Sequence, residues 1–245
     1  MRLLLINANT SAEITRRVAE EARKTAGADT EIQAVTASFG SSLIRTRADN
    51  VIAAHGALTA LARSSAGYDA AVLAVSTDTG LAALREISPV PVVGMTEAAL
   101  LTACMVGSRI GLVVFDKRAM PVFRETVAMH GLSDRLAGIR TVTMTVADFR
   151  RPERVREQVL GGIESLVEQD GVECVIVTGA TMAGVARSLQ AEAPVPLLDG
   201  ISCAVVQAEG LVRLRIPKPR VGSLVRQRSE DLTGVDPALA ELLRS

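Results

Sequence analysis

At 245 residues, 48% of them apolar, the chain is long enough to bury a full core, and its 27 basic and 27 acidic residues leave no net charge. That balance, with one Tyr, four Phe and no Trp, excludes the basic footprint and base-stacking platforms of a nucleic-acid binder. The opening MRLLLINANTS is too short an apolar run to span a membrane and lacks a signal-peptide layout, so a soluble cytoplasmic protein without a membrane partner is expected. Cys104, Cys174 and Cys203 are widely spaced in apolar sequence and read as reduced core thiols; no metal site is expected.

In chain order, strands are expected at Leu3 to Ile6, Glu31 to Thr36, Ala70 to Ala74, Val90 to Gly94, Arg109 to Val114, Arg140 to Thr145, Val172 to Val177 and Val195 to Leu198. Thr10 followed by Glu13 has capping-box spacing, which makes Asn7 to Ser11 a strand end passing into a helix. RPERVREQVLGGIESLVEQD puts Val155, Val159, Ile163 and Leu166 on one helical stripe behind Pro152. His130, before Gly131, suits a helix C-terminus, and His55 has no acidic or thiol partner nearby in sequence. Continuous apolar strands alternating with helices indicate a mainly parallel α/β protein.

Three strand motifs recur in order. RLLLINANTS answers RIGLVVFDKR, AVLAVSTDTG answers CVIVTGATMAG, and VPVVGMTEAAL answers VPLLDGISCAV, at offsets of 107, 103 and 105 residues. The repeat implies two similar α/β lobes with pseudo-twofold symmetry, residues 1–104 and 105–210, the stretch 210–220 packing back on the first lobe. Residues 211–245 form a C-terminal extension whose Arg213, Arg215, Lys218 and Arg220 read as a surface arm, a subunit contact or an anion-binding element.

In such a fold the carboxyl ends of the strands face a shared cleft. That cleft is expected to hold Asn9 and Thr10; Ser76, Thr77 and Asp78; Glu97; Arg118; Thr178, Gly179, Ala180 and Thr181; and Asp199. Helix-start N–H groups and hydroxyls there suit a small anionic or carbonyl substrate, Ser76, Thr77, Gly179 and Thr181 binding its carboxylate or enolate and Asn9 fixing it. Asp78 reads as a cap, a base or an orienter of its neighbours, and Arg118 as a carboxylate clamp or a solvated helix start.

INANTS, AVSTDTGL, PVVGMTEAAL and PLLDGISCAV together resemble the hydantoin racemase branch of the aspartate/glutamate racemase family, from about Met1 to Gly210. The resemblance implies two α/β lobes around the site, no cofactor, a homo-oligomer, and two cysteines acting from opposite faces of the substrate. This chain departs from it: Val75 stands at the first cysteine position, and Ala180 or Thr181 at the second. A serine hydroxyl has a far higher intrinsic pKa than a thiol and needs a strong neighbouring base to replace it.

The expected function is a racemase-like isomerase acting on a small carbon acid through an enolate-like intermediate, with Asp78, Ser76 and Thr181 as catalytic candidates. A cofactor-independent decarboxylase or cis–trans isomerase of the same family, and a non-catalytic small-molecule binding protein, are the alternatives.

Overall fold

The computed structural model describes residues 1–64, 67–144 and 151–244. Two four-stranded parallel sheets are built in the same way, the first in the order β2-β1-β3-β4 and the second in the order β6-β5-β7-β8. The first uses β1 (Arg2–Asn7), β2 (Glu31–Thr36), β3 (Ala70–Leu73) and β4 (Val92–Gly94); the second uses β5 (Ile110–Val114), β6 (Leu136–Thr141), β7 (Cys174–Val177) and β8 (Leu197–Asp199). Helices α1 (Ala12–Thr25), α2 (Arg47–Arg63) and α3 (Leu81–Ile87) make the first-lobe crossovers, and α5 (Ala119–Met129), α6 (Pro152–Asp170) and α7 (Val185–Leu189) those of the second. Each parallel pair requires such a crossover.

Side-chain alternation along the strands separates three cores. Leu4 and Ile6 face outward toward α2 and α3, while Leu3 and Leu5 face a central core shared by both lobes. A third core, around Val113, Val159, Ile163 and Leu166, lies under α6 and α7. The central core is closed by exchange: α4 (Met95–Val106) follows the first sheet yet packs on β7 and β8, and α8 (Gly200–Leu214) follows the second yet packs on β3 and β4. Gly200 makes the crossing possible, because a Cβ there would sit 2.8 Å from the Met95 carbonyl oxygen.

The edge strand β6 starts four residues before the expected Arg140 and ends at Thr141; Thr145 of that expectation lies outside the described residues. Gly138 obscured it, since this glycine serves a close approach in which a Cβ would lie 2.6 Å from Asp170 Oδ2. Val90 and Val195 fall short of β4 and β8, because Pro91 and Pro196 lack the N–H the ladder needs. The first helix begins one residue later than its capping-box reading: Ser11, not Thr10, accepts from the Ile14 N–H.

The C-terminal extension lies on the first lobe. Lys218 donates to the carbonyls of Glu86 and Ser88, and α9 (Pro237–Arg244) packs on α2 with Leu239 in the outer core. No helix among the described residues is long and apolar enough to cross a membrane.

Candidate functional site

The pairing registers fix which residues of the two lobes correspond. Leu3 pairs with Ala70 as Ile110 pairs with Cys174, and Leu73 pairs with Gly94 as Val177 pairs with Asp199. The second repeat therefore runs at an offset of 104 rather than 103, derived from Ala70 matching Cys174. This one-residue correction makes Val75 the counterpart of Gly179, Ser76 that of Ala180 and Thr77 that of Thr181, while the first repeat keeps its offset of 107 and matches Asn9 with Asp116. The third repeat keeps its offset of 105, which matches Gly94 with Asp199.

A cavity of about 780 Å³ opens at the carboxyl ends of both sheets, within the size range of small-molecule sites. Asn9, Val75, Ser76 and Thr77 line it from the first lobe, and Asp116, Arg118, Thr178, Gly179, Ala180 and Thr181 from the second. Buried Asn9 is held by local geometry: its Oδ1 accepts from Asn7 Nδ2 and from the Ser11 N–H, which leaves its Nδ2 as the donor for a ligand. Thr77 Oγ1 donates to Asn50 Oδ1, also on the wall, and Thr178 Oγ1 donates to the Val113 carbonyl.

The two walls touch where the Ala180 N–H donates to Ser76 Oγ at 3.2 Å. Arg17 of α1 crosses between lobes to donate to the Thr181 carbonyl at 2.9 Å, fixing the second wall from the first lobe. The N–H groups of Ser76 and Thr77, two residues of the first wall, find no acceptor among the described residues. Gly179 has φ 102, a conformation that favours glycine, whereas Val75 is not in that region.

Four expected site residues lie off this cavity. Thr10 sits beyond it and donates its N–H to the Ser41 carbonyl. Asp78, at φ 47, turns its fully buried side chain away and accepts from the N–H groups of Thr96 (3.1 Å) and Glu97 (2.6 Å), capping α4. Its Oδ2 also lies 3.2 Å from His130 Nε2 at the end of α5, a contact across 52 residues that no local pattern signals. Glu97 is paired with Arg85, its Oε1 3.7 Å from His130 Nδ1. Asp199 caps α8, accepting from the Ile201, Ser202 and Gly184 N–H groups. Burial pushes the Asp199 carboxyl above its ordinary value, against the opposing pull of those donors.

None of the three cysteines lines the cavity. Burial pushes the Cys174 thiol up to about 11 and raises that of Cys203. Their place is the central core.

Sequence reasoning missed the loop before α2, whose Leu43, Ile44 and Arg45 complete the wall. One signal was available: Thr46 and Asp49 form a capping box, placing a helix start and Asn50 beside the cavity.

The family model for Asp/Glu/Hydantoin racemase matches residues 3–208. A hydantoin racemase of Pseudomonas sp. (strain NS671) is 33% identical over 87% of each chain. The allantoin racemase of Pseudomonas fluorescens superposes with a TM-score of 0.91 and 30% identity, over 96% of this chain and 100% of its own. That of Klebsiella pneumoniae gives 0.90 and 32%, over 98% of both. The match runs through both sheets and every wall of the cavity: the chain belongs to the Asp/Glu/hydantoin racemase family, and with it to the racemase and isomerase enzymes.

Proposed function

We propose that this protein moves a proton on a small carbon acid of the hydantoin type, at the carbon next to a ring carbonyl, through an enolate. Loss of that proton leaves its electron pair on the carbon and carbonyl oxygen; return of a proton to the opposite face inverts the carbon. The observation that carries this reading is the two-walled cavity, with Asn9 Nδ2 and the Ser76 and Thr77 N–H groups as donors for the developing oxyanion. Family membership supplies the reaction class.

Thiols play no part in this reading, because Val75 and Gly179 are matched across the pseudo-twofold and neither can carry a proton. Among the wall groups that can are the hydroxyls of Ser76 and Thr181 and the carboxylate of Asp116. A hydroxyl needs a neighbouring base. Asp116, the carboxylate among the lining residues, is that base, and Ser76 and Thr181 relay the proton on either side. Asp78 is left with capping, the alternative its sequence allowed.

Deuterium uptake from solvent at the ring carbon of 5-substituted hydantoins, followed by proton NMR, tests the reading. Asn9→Ala and Asp116→Asn are each expected to slow exchange by about 100-fold, the typical loss for an oxyanion donor or a general base. No exchange on any hydantoin removes the reading, and full activity in both variants removes the residue roles.

A further inference from the structure

The chain is electrically neutral as a whole, yet its cavity is not. Arg45 comes to the wall from the first lobe, on the loop before α2, and Lys117 and Arg118 come from the second, on the turn after β5. All three are exposed. None makes an ion pair among the described residues, although many other arginines of this chain do. Asp116 stands alone against them among the wall residues, and its Oδ1 already accepts from the Arg118 N–H. Cations of both lobes thus converge on one opening without carboxylate partners.

The same wall carries less exposed apolar residues, half-buried Leu43, Ile44 and Val122 and buried Phe123. Low-dielectric walls below a ring of like charges focus the field at the opening. Guanidinium groups suit a carboxylate there, since they offer paired donors in a fixed plane.

Resting on the racemase reading above, we infer that the preferred substrate carries an anionic substituent: the ring carbonyl sits at Asn9 and the Ser76 and Thr77 N–H groups, a short aliphatic stem crosses the apolar belt, and a terminal carboxylate meets Arg45, Arg118 and Lys117 at the mouth. The substituent, not the reacting carbon, is what these cations select. Neutral substituents of the same length gain the belt but not the mouth.

The test compares two compounds of equal shape, the hydantoin of glutamate with its carboxyethyl arm and the hydantoin of glutamine with its uncharged carbamoylethyl arm. In dilute buffer the carboxylate is expected to exchange deuterium with a kcat/KM at least about tenfold higher, one charge-assisted contact's worth, and to bind more tightly by calorimetry. Salt should shrink the ratio as it screens exposed charges. Arg45→Ala and Arg118→Ala should each bring it toward one. Exchange on both compounds at equal efficiency and affinity, or a ratio indifferent to both variants, overturns the anionic-substituent inference and leaves the racemase reading standing. Tighter binding of the carboxylate without exchange on either compound does the reverse, and neither binding nor exchange removes both.

Discussion

The two lobes share a strand order and a crossover plan, yet they solve the same local problem with different atoms. Each has a long helix, α4 or α8, leaving its last strand with unpaired N–H groups inside the protein. In the second lobe the strand itself supplies the cap, Asp199. In the first the matching position is Gly94, and the carboxylate comes from the neighbouring loop, Asp78. Met182, the counterpart of Asp78 at the 104-residue offset, is instead an apolar core residue. A duplicated fold therefore conserves the requirement, a buried acceptor at a helix start, and not the residue that meets it. Chemistry differs by the same logic: Asn9 corresponds to Asp116, and Ser76 to Ala180, at equivalent strand ends.

The largest effect should come from undoing the first lobe's solution. Asp78→Ala strips a fully buried cap from two N–H groups and is expected to cost about 3 kcal/mol, a lost cap plus buried unsatisfied donors. Gly94→Ala should approach it from the other side, since its Cβ would lie 2.6 Å from Asp78 Oδ1. Urea midpoints measure both. If Gly94→Ala adds its full cost on top of Asp78→Ala, the two residues are not one device and the comparison with Asp199 is wrong.

A smaller effect separates the lobes by what covers them. The outer core of the first is sealed by α9, whose Leu239 is 2% exposed, whereas α6 and α7 cover that of the second. Leu239→Ala is expected to lower stability by about 2 kcal/mol, at the mild end for a buried leucine because the tail can settle. An unchanged midpoint would make the extension an appendage rather than part of the first lobe.

Much of this was legible beforehand for reasons the elements make plain. Strands such as AAVL, buried on both faces, announce themselves as unbroken apolar runs, and all eight strand segments were found in order. Wall residues Ser76, Thr77, Thr178 and Thr181 followed from one rule, that parallel strands end at the site. What stayed hidden was direction. Nothing local tells whether Asp78 looks into the cavity or back at α4; that is decided by Gly94, 16 positions on, and by His130 at 52. The match of AVLAVSTDTG with CVIVTGATMAG is also off by one residue, and in a strand one residue reverses the face; the pairing register makes Gly179 the counterpart of Val75.

The smallest effect concerns how corresponding helices begin. α2 starts with a capping box in which Asp49 accepts from the Thr46 and Arg45 N–H groups and from Ser41, whereas α6 starts with Pro152 at its first position and no side-chain cap. Those donors hold the Asp49 carboxyl down at about 2, below its ordinary 3.8. The sign follows from linkage: a carboxyl depressed in the folded state stabilises it at pH above the unfolded value and loses that contribution as pH falls through the folded one. Asp49→Asn should therefore lie slightly below the native chain in urea midpoint near neutrality, with the gap closing as pH drops from about 4 toward about 2. A gap for Asp49→Asn that is constant with pH would assign its cost to packing instead of charge, and the contrast between the two helix starts would then rest on shape alone.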